Sequence, residues 1–277
     1  MQGIEPSEST AALVTEEPLE NRTTYKGKLI IFTSFYQSVA SSRYTQSLVA
    51  TAMVLERLGV KWDFCPVMGD FHIERAVNEA FKRFLDDPEV TDILTIDSDE
   101  SWDVMGVLRL LAHPEPVVGC SYRMKNKWDQ WTATLKTKDG VPVGKILPDG
   151  TALIEAERLP WGFLRLKREV LERYREHFSD LWFHGKTGKT PIYCQLQYIN
   201  HELTSQDYSL SIRLKELGYQ LWCDPNVTIG HYGMEAFMGN LHESLTALQQ
   251  TTAADAKLVD AAKVVAEMAA NIQARAA

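Results

Sequence analysis

The first 122 residues alternate between short apolar runs and amphipathic segments, and this constrains the fold more than any other feature. "KLIIFTSF" (28–35), "VKWDFC" (60–65), "VTDILTI" (90–96) and "EPVVGCSY" (115–122) read as strands. Between them, residues 43–59 carry Leu48, Ala52, Leu55 and Leu58 at helical spacing with a Gly just beyond. Residues 73–87 place Ala76, Ala80, Phe84, Val77 and Phe81 on one face, and residues 102–113 form a third helical stretch. Strands that are apolar throughout and alternate with helices predict an α/β fold, with a mainly parallel sheet covered on both faces.

The pattern then changes. Residues 130–159 alternate with period two and hold two turn signals, Asp139-Gly140 and Asp149-Gly150, so an antiparallel insertion is expected. Residues 165–178 read as a helix and 183–191 as a polar loop. Residues 205–218 read as a helix with Ser205 as N-cap and Gly218 past its end, and 219–233 as two short strands about an Asp-Pro turn. Three regions are expected: a mobile tail over 1–26, one α/β domain over 27–240 and a helical C-terminal extension over 241–277. The Ala-rich extension is a candidate for packing on a second chain.

Composition removes several function classes. The net charge of −8 argues against broad nucleic-acid binding. No apolar run approaches the ~18 residues of a membrane span, and the acidic, polar start is unlike a signal peptide. The four cysteines are far apart and lie in or beside apolar runs, which fits reduced core thiols in a cytoplasmic protein.

The residues that carry chemistry begin with "ILTIDSDE" (93–100). In open α/β sheets ligands bind at the carboxyl ends of strands, and Asp97 and Asp99 sit at such an end. Two carboxylates one residue apart suit a hard divalent cation, Mn²⁺ or Mg²⁺, with room left for diphosphate oxygens. Taken alone, a turn at Asp97 and a helix cap at Asp99 explain them as well. Glu100 is read as surface charge at a helix start. His231 stands between Gly230 and Gly233 and joins a site only if it converges with Asp99. Asp207, in the first turn of its helix, is either a dipole-stabilising acid or a general base. Arg75 and Asn78 share a helix face beyond Asp70 and His72, where an anion could lie. Trp128, Trp131 and Trp161 could stack on a sugar or base or pack in the core, and Gly162 would let a ligand approach the backbone. "GKTGKT" (185–190) is not a phosphate-binding P-loop, because Phe183 stands where the first glycine belongs.

Six segments in order, "IIFTSF", "FHIERAVNEAFKRFL", "ILTIDSDESWD", "VVGCSYRMK", "LPWGFLRLKREVLERY" and "SQDYSLSIRLKELGYQLWCDPNVTIGHYG", resemble GT-A-fold glycosyltransferases. The similarity is to the short bacterial and phage enzymes of family-2 type and spans residues 28–235. The resemblance implies a nucleotide-sugar donor, with a UDP-sugar favoured, and Mn²⁺ or Mg²⁺ on its diphosphate. It makes Asp99 and His231 metal ligands and sets Asp97 at the metal or the ribose. Thr33, Ser34 and Phe35 would lie at the nucleoside, and Arg75 at the base or diphosphate. Asp207 would be the base, while Trp161, Gly162 and Gln206 would border the sugar or acceptor. Gln206 departs from the family, which has Glu there. The acceptor could be a glycan, a protein or a hydroxymethylated base in phage DNA. For DNA, Arg123, Lys125, Lys127, Lys136, Lys138, Lys186 and Lys189 would guide the polyanion. Two other functions fit the same residues: a sugar-phosphate nucleotidyltransferase, and a non-catalytic nucleotide-sugar-binding protein. The first would carry a glycine-rich basic loop after its first strand, and "TSFYQSVASSRY" (33–44) has no glycine.

Overall fold

The computed structural model describes residues 25–35, 38–70, 72–126, 128, 130–199, 201–233, 236–247 and 249–250. The expected N-terminal tail up to residue 24, residues 251–277 of the C-terminal extension, and Lys127 lie outside them.

Among the described residues, helices α1 Ser42–Arg57, α2 Ile73–Asp86, α3 Val104–Ala112, α4 Arg168–His177 and α5 Gln206–Glu216 flank the sheets. The strands in chain order are β1 Lys28–Phe35, β2 Lys61–Met68, β3 Asp92–Ile96, β4 Glu100–Trp102, β5 Val117–Gly119, β6 Thr134–Leu135, β7 Thr137–Lys138, β8 Val141–Pro142 and β9 Gly144–Ile146. They continue with β10 Ala152–Arg158, β11 Phe163–Lys167, β12 Trp182–Gly185, β13 Gly188–Pro191, β14 Gln197–Ile199, β15 Glu202–Thr204, β16 Leu221–Cys223, β17 Ile229–Tyr232 and β18 Ala236–Gly239.

The main sheet runs β2-β1-β3-β11-β5-β16-β10-β6, with β9 on β10. β1 pairs parallel with β2 and β3, and β16 parallel with β5. β11 runs antiparallel between β3 and β5, so β1, β2, β3, β5 and β16 share one direction. The expected α/β architecture is therefore present. Its antiparallel insertion is β6 to β10, and the turns between β7 and β8 and between β9 and β10 hold Asp139-Gly140 and Gly150 at positive φ.

β1 shows why both faces must be covered. Ile30 and Phe32 enter a core with Phe81 and Phe84 of α2, Leu171 and Tyr174 of α4, and Leu210 and Leu214 of α5. Leu29 and Ile31 enter the opposite core, with Tyr44 and Leu55 of α1 and Val107 and Leu110 of α3. Successive side chains of a strand point to opposite faces, so a fully apolar strand needs helices on each side. Local chemistry fixes the helix starts: Ser41 accepts from the Tyr44 amide and Asp103 from the Met105 amide. Toward the ends of the described residues, Tyr25 donates to Asp92 at 2.8 Å, and Leu241 and Leu245 of the helical 241–247 pack on the first core.

Three local expectations are corrected, and one element is new. Residues 163–167 form strand β11, and the helix begins only at Arg168. Arg165 is buried mid-strand, donating to the carbonyls of Leu110 and His113, which a surface helix would not supply. The polar loop over 183–191 is the hairpin β12–β13, anchored to α2 because Glu79 accepts from the Lys186 amide at 2.6 Å. Residues 197–204 form a further hairpin, β14–β15, that was not foreseen. The third helix starts at Val104, since residues 100–102 are drawn into a small sheet with order β18-β17-β4.

Candidate functional site

β3 delivers Asp97 one residue past its carboxyl end, and the parallel register with β1 sets that end beside Thr33 and Ser34. The turn that follows is tied on three sides. The Asp97 amide donates to Gly162 O, the Ser41 amide to Ser98 O, and the Tyr232 amide to Asp99 O at 2.7 Å. β4 then pairs with β17, opposing Glu100 to His231. Two short strands thus bring residues from opposite halves of the chain to one point, and Asp99 Oδ1 lies 3.9 Å from His231 Nε2.

The state of that histidine follows from its other nitrogen. His231 Nδ1 lies 2.8 Å from the backbone oxygen of Arg123, which only accepts, so Nδ1 carries the hydrogen. Burial pushes the imidazole pKa down, which keeps it neutral. Its Nε2 lone pair therefore faces a carboxylate oxygen, two acceptors turned toward each other. The edge of the Tyr122 ring holds the imidazole in place, with centroids 4.9 Å apart.

Burial, then Asp99 and Asp207, push the Asp97 carboxyl up to about 7. Asp207 is also raised by burial, against the pull of its hydrogen bonds. Ser205 Oγ donates to Asp207 Oδ1 at 2.5 Å and the Tyr208 amide to the same oxygen at 2.8 Å, so Oδ2 is the freer oxygen. Ser205 occupies the N-cap position as expected, but its hydroxyl serves Asp207 rather than the helix amides. Lys125 is the cation at this cluster, in an ion pair with Asp99.

Glu100 corrects the sequence reading. It is fully buried on β4 beside the Tyr122 hydroxyl, and no cation or backbone amide bonds either carboxyl oxygen among the described residues. Burial beside Asp97 and Asp99 raises its pKa well above the usual carboxylate range. Gly162 explains how it fits. A Cβ there would lie 2.2 Å from Glu100 Oε1, 2.3 Å from Tyr122 Oη and 2.8 Å from Asp97 Oδ2. Glu100 and Tyr122 are the members of the cluster that sequence reasoning missed. The available signal was the alternation Glu100-Ser101-Trp102, which reads as a short strand with its first and third side chains inward.

The other expected residues fall around this cluster. Thr33 is buried, with its hydroxyl 2.6 Å from the Tyr44 hydroxyl, and Ser34 is buried beside it. Phe35 meets Tyr44 and Phe64 edge-on. Trp161 is packed in the first core and offers no ring face for stacking, while its carbonyl accepts from Thr95. Gln206 is partly exposed at the start of α5, and its carbonyl accepts from Ser209. Arg75 is not joined to the acidic cluster. Its guanidinium makes a two-pronged bond to Asp70 at 2.8 and 2.6 Å, beyond the carboxyl end of β2. The basic set is spread over separate elements, with Lys136 on Glu155 and Lys189 over the Trp182 ring.

A divalent cation fits the donor set. A carboxylate oxygen, a neutral imidazole nitrogen whose proton is fixed on its far side, and further carboxylates nearby make a mixed O/N site of the kind Mn²⁺ accepts. No group of three or more such ligands is preassembled among the described residues, and Lys125 sits on Asp99.

No known protein family matches this chain, and no curated protein does. Several solved structures are similar. One is A197 from STIV, at 14% identity and TM-score 0.45, over 77% of this chain and 94% of that one. Another is a mutant Drosophila β1,4-galactosyltransferase 7 in complex with manganese, UDP-Gal and xylobiose, at 13% and 0.43, over 78% and 71%. A third is UDP-glucose pyrophosphorylase complexed with UDP-glucose, at 10% and 0.37, over 81% and 99%. Likeness at this level leaves the reaction to be argued from the side chains. No described helix is long and apolar enough to cross a membrane.

Proposed function

We propose that this protein is a metal-dependent glycosyltransferase of GT-A type that moves a sugar from a nucleoside-diphosphate donor, with UDP favoured, to an acceptor hydroxyl. One observation carries the reading. The lone pair of neutral His231 and a carboxylate oxygen of Asp99 face one another at 3.9 Å, beside Asp97 and within the electrostatic reach of Asp207. Such a site calls for a cation and supplies a base next to it.

Asp99 and His231 would hold the ion, with Asp97 at its edge. When bound, a divalent cation stabilises the charge that develops on the leaving diphosphate. Lys125, released from Asp99, becomes available to a phosphate oxygen. Asp207 Oδ2 takes the proton of the acceptor hydroxyl. The raised pKa of Asp207 makes it a stronger base than an exposed carboxylate, which suits proton removal near neutral pH. Ser205 and Tyr208 hold its other oxygen and fix its orientation. The acceptor is a hydroxyl of a glycan, a protein or a modified DNA base.

The test is a panel of UDP-, GDP- and TDP-sugars with Mn²⁺, read by thermal shift and by release of nucleoside diphosphate. Asp99→Ala is expected to lose metal-dependent binding. Asp207→Ala is expected to keep it while turnover drops by about 10²–10⁴-fold. Equal metal-dependent binding by Asp99→Ala and the wild type would defeat the metal assignment. Pyrophosphate released from a nucleoside triphosphate and a sugar phosphate would instead mark nucleotidyl transfer.

A further inference from the structure

A cavity of about 260 Å³ lies between the second half of α2, the end of α4 and the hairpin β12–β13. It shares no residue with the acidic cluster. Lys28 at the start of β1 bonds Asp87 just past α2, so this end of α2 lies at the amino-terminal edge of the sheet, opposite the cluster.

Six side chains define its character: Lys82, Arg175, Lys189, Phe178, Trp182 and Tyr193. Lys82 is committed to Asp86, one turn along the same helix. Arg175 is exposed and makes no ion pair or hydrogen bond among the described residues. Lys189 lies 4.7 Å over the Trp182 ring and has no carboxylate partner among them. Two cations therefore stand unneutralised at one opening, next to an indole that is 39% exposed. Tyr193 is fully buried, so it shapes the wall without presenting its hydroxyl to the opening.

We infer that this cavity is a second ligand site, separate from the proposed catalytic cluster, for a sugar-sized phosphate ester. Arg175 and Lys189 take the phosphate and Trp182 covers the ring. Size sets the class. Sites for drug-sized ligands run from about 300 Å³ upward, so this one suits a monosaccharide phosphate rather than a nucleotide sugar. Trp182 is well suited to the apolar face of a sugar.

The test is calorimetric titration of the full chain with glucose 6-phosphate, glucose 1-phosphate, inorganic phosphate and glucose. A sugar phosphate is expected to bind at least tenfold more tightly than glucose or inorganic phosphate. Arg175→Ala and Lys189→Ala, both at exposed positions that spare the fold, are each expected to weaken it about tenfold. Asp99→Ala is expected to bind as wild type does. The inference is overturned if glucose or inorganic phosphate binds as tightly as the ester, or if Arg175→Ala leaves affinity unchanged. Loss of binding in Asp99→Ala would overturn it too, by moving the ester to the catalytic cluster.

Discussion

Asp97 is the residue whose chemistry sets a pH window. Its folded pKa, about 7, stands well above the ~4 of an unfolded aspartate. Folding stability tied to this group is complete below about pH 4 and is lost as pH rises toward 7, because only the unfolded chain gives up the proton cheaply. The expected outcome is a metal-free protein whose urea midpoint falls between pH 5 and 8, and falls less in Asp97→Asn. Cation binding runs the other way. A carboxylate must shed its proton to serve a metal ion, so Mn²⁺ affinity should rise up to about tenfold per pH unit below 7 and level off above it. Titration of Mn²⁺ at pH 6, 7 and 8 checks this. Gly162 is the steric counterpart. Gly162→Ala drives a methyl into Glu100, Tyr122 and Asp97, and a loss of about 1–3 kcal/mol is expected, read as a lower unfolding midpoint.

Among the elements, strands β1 to β3 and helices α1 and α2 were legible because each carries an uninterrupted period. The two Asp-Gly turns were legible because only turns use that pair so readily. β11 was not. Leu166, Val170 and Tyr174 are spaced four apart, so the helical period runs backward through the end of a strand, and the central antiparallel strand hides inside it. Hairpin β12–β13 was missed for a different reason. Its own residues are polar, and what orders it is a contact far away in sequence, Glu79 of α2 accepting the Lys186 amide. Glu79→Ala should therefore loosen the hairpin by about 1–3 kcal/mol while leaving α2 intact. Amide hydrogen exchange at 185–190 should speed up, and exchange at 76–84 should not. Within the candidate site, Asp97, Asp99, His231 and Asp207 could be picked out by residue type and order. Glu100 was passed over, since a glutamate after two aspartates looks like more surface charge, and its one signal was the short alternation Glu100-Ser101-Trp102 that pairs as β4 with β17.

For the whole molecule, the two apolar layers enclose all four cysteines as free, buried thiols. Burial raises the thiol pKa of Cys120, Cys194 and Cys223, which further suppresses the reactive thiolate. The native protein should react slowly with a thiol reagent and release its full complement only in denaturant. The joining of Asp99 to His231 has a kinetic consequence. One is reached early in the chain and the other near its end, and they approach only when β4 and β17 have paired. Contacts of such long sequence separation form late, after the cost of closing a large loop has been met. A cation that needs both ligands cannot help the rising part of the folding barrier. It should leave the refolding rate nearly unchanged and slow unfolding instead, so the unfolding limb of a chevron plot should drop on adding Mn²⁺ while the folding limb stays in place.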